Sequence, residues 1–93
     1  MKQIVILGAR IETSDDIADA VLELACALAE RGRMEIVEFP CLYDSGPSMA
    51  SVLLGKPYQI ATVRIPGSTP GNLDGSAHLL EELRRRTAEL ASV

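Results

Sequence analysis

Residues 2–39 constrain this chain more than any other stretch, because they read as strand, helix and strand in direct succession. Gln3–Gly8 opens with an unbroken apolar run, Ile4-Val5-Ile6-Leu7. Such a run suits a central strand covered on both faces, and Gly8 allows the tight turn that ends it. Across Ser14–Arg31, the residues Ile17, Val21, Leu24 and Leu28 follow at spacings of four, three and four, which line one face of a helix. Ala18, Leu22, Ala25 and Ala29 widen that face, and only a narrow polar line through Asp19, Glu23 and Glu30 remains. A helix this apolar is expected to be covered on more than one side. Thr13 or Ser14 can cap its start, Asp15 and Asp16 suit the positive end of its dipole, and Gly32 can close it.

The remaining elements follow in alternation. Glu35–Phe39 alternates polar and apolar residues, which predicts an edge strand stopped by Pro40. Tyr43–Pro47 is turn chemistry. Ser48–Leu54 reads as a short helix with Met49, Val52 and Leu53 inward, ended by Gly55-Lys56-Pro57. Tyr58–Ile65 is a third strand closed by Pro66, and Gly67–Asn72 an irregular loop. Ser76–Ala91 is a second helix with Leu79, Leu80, Leu83, Leu90 and Ala91 on its buried side. Glu81 with Arg85, and Glu82 with Arg86, stand four apart, so Arg84-Arg85-Arg86 reads as a solvated face. Alternating strands and helices predict a parallel sheet with right-handed crossovers. The expected fold is one small three-layer α/β domain over residues 1–93, with a three-stranded parallel sheet in the order 2-1-3.

Size and charge narrow the function. A 93-residue chain with 3% aromatic residues builds its core from Leu, Ile, Val and Ala, and buries a modest fraction of its surface. Bare sheet edges on such a domain point to a homodimer or to docking on a protein partner. A net charge of −4 argues against nucleic acid, whose binding rests on phosphate neutralisation. No signal peptide and no apolar run of membrane-spanning length is apparent, which implies a cytoplasmic location and no membrane partner. Two widely separated cysteines fit a reducing compartment. Cys26, in mid-helix, is expected to be buried and inert, and Cys41, after Pro40, to be exposed.

Ligands of open parallel sheets sit beyond the carboxyl ends of the strands, at the switch in strand order. That rule directs attention to Glu12, Asp15, Asp16, Asp74 and His78. Asp16, His78 and Glu12 form a candidate metal set for nickel or zinc, since imidazole and carboxylate are ligands for such ions. The plainer alternative makes Asp16 a capping carboxylate and His78 a polar residue in a first turn. Gly67-Ser68-Thr69-Pro70-Gly71 could offer amides to an anion, but it lacks the Gly-Lys-Ser/Thr of a phosphate loop. No nucleophile–base–acid spacing stands out.

Several stretches carry a resemblance. Ile6-Leu7-Gly8 followed by Ser14-Asp15-Asp16 and Val21-Leu22-Glu23, the strand Gln59–Ile65 with Pro70-Gly71-Asn72 after it, and Ser76-Ala77-His78 opening a helix are similar to the N-terminal part of hydrogenase maturation proteases. These endopeptidases trim the large subunit of nickel-iron hydrogenase. The resemblance implies a nickel site made by an acid at the start of the first helix, an aspartate at the end of the third strand and a histidine at the next helix. By position the first falls on Asp16 and the last on His78, while the middle one falls near Thr62-Val63, neither of which is a carboxylate. Ala9-Arg10 and Ile17 also depart from the family's Gly-Asn and Gly around the acidic pair. The resemblance therefore implies a shortened, non-proteolytic relative. The sequence predicts a binding or accessory module that self-associates or docks on a protein. The alternative is a metal-dependent enzyme or metal-binding protein with a site at Asp16 and His78.

Overall fold

A computed structural model describes residues 1–6, 8–43, 46–55, 60–64 and 76–91. The element order is β1 (Lys2–Ile6), β2 (Ala9–Thr13), α1 (Asp15–Glu30), β3 (Met34–Tyr43), β4 (Gly46–Gly55), β5 (Ile60–Arg64) and α2 (Ser76–Ala91). The strands form one sheet in the order β4-β3-β2-β1-β5. All four pairings are antiparallel.

This corrects the expected three-stranded parallel sheet and its 2-1-3 order. The segment after Gly8, read as a loop, is the strand β2. Gly8 lies at φ 83, a left-handed conformation that glycine adopts without penalty, and the chain turns back there. Ile4 then pairs with Ile11, and Lys2 with Thr13. The second departure is β4, read as a helix. Its ten residues pair one-for-one with β3, from Met34↔Gly55 to Tyr43↔Gly46. Short apolar runs carry no decisive period, and Gly46-Pro47 at one end with Gly55 at the other suits a strand as well as a helix.

Pro40 does not stop β3; it lies inside it. The Thr13 hydroxyl donates to the Pro40 carbonyl at 2.8 Å. A strand residue directs its N–H and C=O to the same side, so the N–H that Pro40 lacks would also have faced β2. On that side the ladder is a single pair, Glu12↔Leu42. Proline is tolerated because no ladder bond is asked of it there.

Both helices pack on one face of the sheet. Val37, Phe39 and Cys41 of β3 are buried and Ile36 and Glu38 are exposed, although Pro40, between Phe39 and Cys41, is buried as well. The layers are therefore two, not three, and the alternation first read as an edge signal reports a half-covered inner strand. On β1, Ile4 and Ile6 are buried and Val5 is half-buried. The core joins Ile4, Phe39 and Leu54 of the sheet to Ile17, Val21, Leu24 and Leu28 of α1 and Leu83 and Leu90 of α2. Helix α1 meets the sheet on one side and α2 on another, as its wide apolar face requires.

The helix ends are closed by local chemistry. Ser14 caps α1, its hydroxyl accepting from the Ile17 N–H at 3.3 Å. At the other end, Arg33 N–H donates to Leu28 O at 2.9 Å and Gly32 N–H to Ala29 O at 3.1 Å, with Gly32 at φ 64. This is a Schellman closure. The second helix spans the predicted residues, although Ala91 is exposed.

Gly55 closes β4 against the chain entering β3. It sits at φ 121, and a Cβ there would lie 2.1 Å from the Arg33 carbonyl oxygen. Gly55→Ala is therefore expected to cost more than the ~1–3 kcal/mol of a strained backbone alone. Urea denaturation should show a lower midpoint at unchanged slope.

Candidate functional site

The sequence candidates fall in separate settings. Asp16 is exposed on the first turn of α1, one residue after Asp15. Asp15 faces the Met1 ammonium at 3.1 Å, and Asp19 receives Lys2 at 2.5 Å. Glu12 is half-buried on β2, between Ile11, which packs on the core, and the fully buried Thr13. Strand alternation thus sends Glu12 to the face opposite the helices. His78 is exposed on the first turn of α2. Among the described residues no group of three His, Cys, Asp or Glu side chains comes together as a metal set. Asp74 and the Gly67–Asn72 loop lie outside the described residues.

The cysteines exchange their expected places. Cys26 is exposed, with its thiol donating to Glu30 at 3.6 Å. Position 26 falls on the exposed side of α1, with Asp16, Asp19, Leu22, Glu23, Ala29 and Glu30, so Leu22 and Ala29 are not on the covered face as expected. Cys41 is buried on the core face of β3, and burial pushes its thiol pKa up.

Two surfaces stand out. The first is an open groove of about 560 Å³ lined by Arg31, Arg33, Glu35, Glu82, Arg85 and Arg86, among others. Arg31 caps the end of α1 and donates to the Leu90 carbonyl at 2.5 Å, so the C-terminal ends of the two helices meet there. Glu35 at the start of β3 takes Arg33 at 2.9 Å and also Arg86 from α2. Arg85 holds Glu82 through two bonds of 2.5 and 3.1 Å, and reaches Glu89 as well. The expected pairs of Glu81 with Arg85 and Glu82 with Arg86 are replaced by these. Arg86, half-buried, leaves its own helix to serve Glu35, so the arginine run is only partly a solvated face. The guanidiniums meet carboxylates, and the groove works as a clasp between α1, β3 and α2.

The second surface is the sheet face that the helices leave open. Five large hydrophobic residues are exposed among those described, and four of them lie here. They are Ile36 (67% exposed), Met49 (61%), Met34 (49%) and Leu53 (37%). The register places them on one face: Ile36 opposes Leu53, and Met49 opposes Pro40. They border β4, which ends the strand order and carries no charged residue from Gly46 to Gly55. Bare edges are usually guarded by charge, proline or a bulge. Here Pro47 alone guards one end. The alternation of Val37 and Phe39 with Ile36 and Glu38 was the available sequence signal for this face; reading Ser48–Leu54 as a helix concealed its second half.

Two measurements check these assignments. The hydrogen bond and charge of Arg85 hold the Glu82 carboxyl below the usual carboxylate range. The favourable contribution of the pair is present above that range and is lost as pH falls through the lowered value. A carboxyl NMR titration should show the low midpoint, and Arg85→Gln should raise it. With a thiol reagent, the native protein should release one fast equivalent, from Cys26, and a second only on unfolding; Cys26→Ser should abolish the fast phase. No helix among the described residues is long and apolar enough to cross a membrane. Comparison with protein-family models, with curated proteins and with solved structures gives no match.

Proposed function

We propose that this chain is a small α+β binding module that acts by self-association, and that its working surface is the open face of the β3–β4 hairpin. One observation carries this reading: among the described residues, four of five exposed large hydrophobic residues gather on that face, beside an uncharged strand at the sheet edge. Contiguous exposed apolar surface rimmed by polar residues marks protein association sites. The mechanism is the removal of Met34, Ile36, Met49 and Leu53 from water, which supplies the driving force. Glu38 and Ser51, opposed to each other within the strip, supply polar contacts that restrict how it packs. In the groove, by contrast, Arg33, Arg85 and Arg86 already meet carboxylates, and Arg86 ties α2 to Glu35 of β3.

This reading retains the non-proteolytic character implied by the resemblance to hydrogenase maturation proteases. It does not use the metal chemistry, for which the described residues gather no three-ligand set. Sedimentation velocity over a wide concentration range tests it. The wild-type 10.0 kDa chain should sediment faster as concentration rises. Ile36→Lys with Met49→Lys should stay at the monomer value with an unchanged circular dichroism spectrum. A wild-type monomer at millimolar concentration would overturn the proposal, as would a double variant that associates equally well.

A further inference from the structure

The direction of the backbone polar groups on β4 follows from Pro40. Its carbonyl faces β2, where Thr13 donates to it. Alternate residues of a strand face opposite neighbours. Phe39 and Cys41 therefore turn their N–H and C=O groups to β4, and so bond their partners Ala50 and Ser48. The residues between, Met49, Ser51 and Leu53, direct their N–H and C=O groups away from β3. Among the described residues no strand pairs with β4 on that side. By the same alternation Gly55 faces outward too, so a ladder of four donor–acceptor residues stands at the edge, at positions 49, 51, 53 and 55.

We infer that this edge pairs with the same edge of a second copy, antiparallel, about a two-fold axis through Ser51. The inference rests on the self-association proposed above and specifies its geometry. Three observations select it. A two-fold interface joins a patch to itself, and two antiparallel copies of one strand satisfy that condition. Among registers that use the outward residues, the one centred on Ser51 matches side chains of like character: Ser51 opposes its own copy, and Met49 opposes Leu53 of the partner, twice. Each copy carries a net charge of −4, yet β4 has no charged residue, so like charges are kept off the seam. The side chains agree with the backbone. Met49 and Leu53 lie on the open face, so the pairing sets each against the other's copy. It thereby joins the two strips of Ile36, Leu53 and Met49 across the axis. The result is one continuous ten-stranded antiparallel sheet with helices on one face.

Disulfide trapping reads this register. In a Cys26→Ser background, which removes the exposed thiol, Ser51→Cys, Met49→Cys and Leu53→Cys are each oxidised with copper–phenanthroline and run on a non-reducing gel. Directly opposed residues of an antiparallel pair come within disulfide reach, about 5.5 Å between Cα atoms. Residues two positions off the axis do not. Ser51→Cys should trap most of the protein as a covalent dimer. Met49→Cys and Leu53→Cys should each remain monomeric alone and cross-link when mixed. Equal trapping at all three positions, or preferential trapping of Met49→Cys with itself, would overturn the register. If the wild type still associates by sedimentation, that result removes the edge pairing alone. A wild type that never associates removes the proposed function with it.

Discussion

The burial of α1 is the constraint from which the architecture follows. Ile17, Val21, Leu24 and Leu28 are fully buried, and each such side chain contributes about 1.5–3 kcal/mol by leaving water. A helix with so wide an apolar surface needs two neighbours. The sheet supplies one through Ile4, Phe39 and Leu54, and α2 supplies the other through Leu83 and Leu90. Placing α2 beside α1 puts both helices on one face of the sheet. On the other face Met34, Ile36, Met49 and Leu53 then stay exposed. The apolar strip on β3 and β4 is thus a consequence of how α1 is covered, and it links core packing to association.

Charge plays a different part. The pair of Arg86 with Glu35 joins α2 to β3, and the bond from Arg31 to the Leu90 carbonyl joins the two helix ends. Exposed ion pairs contribute little to stability one at a time. Their value here is positional. They fix α2 to β3 and to the end of α1 beside the apolar contacts of Leu83 and Leu90. The same economy appears at Thr13, whose buried hydroxyl satisfies the carbonyl of a proline lying within a strand. The bond allows β3 to continue beyond Pro40, and so gives β4 a partner ten residues long.

Much of the local structure was legible from residues alone. Helix α1 was expected over Ser14–Arg31 and occupies Asp15–Glu30, with Ser14 and Gly32 in their expected capping places. Helix α2 spans the expected residues. These elements are long and strongly periodic, and α1 is closed locally, by the Ser14 side chain at one end and by backbone bonds at Gly32 and Arg33 at the other. The candidate metal residues were less legible. Their grouping assumed parallel strands that would bring loops to one end, whereas Glu12 lies within a strand and points away from the helices.

What the sequence determined by itself is the pair of helices, the caps of α1 and the apolar composition of the strands, because those depend on contacts within about four residues. Tertiary structure decided the direction of every strand, the strand identity of Gly46–Gly55 and the exchange of exposure between Cys26 and Cys41. The reason is that a strand obtains its hydrogen bonds from another segment. A short run such as Ser48–Leu54 satisfies its backbone locally as a helix or remotely as a strand, and the choice falls to the partner that happens to lie alongside.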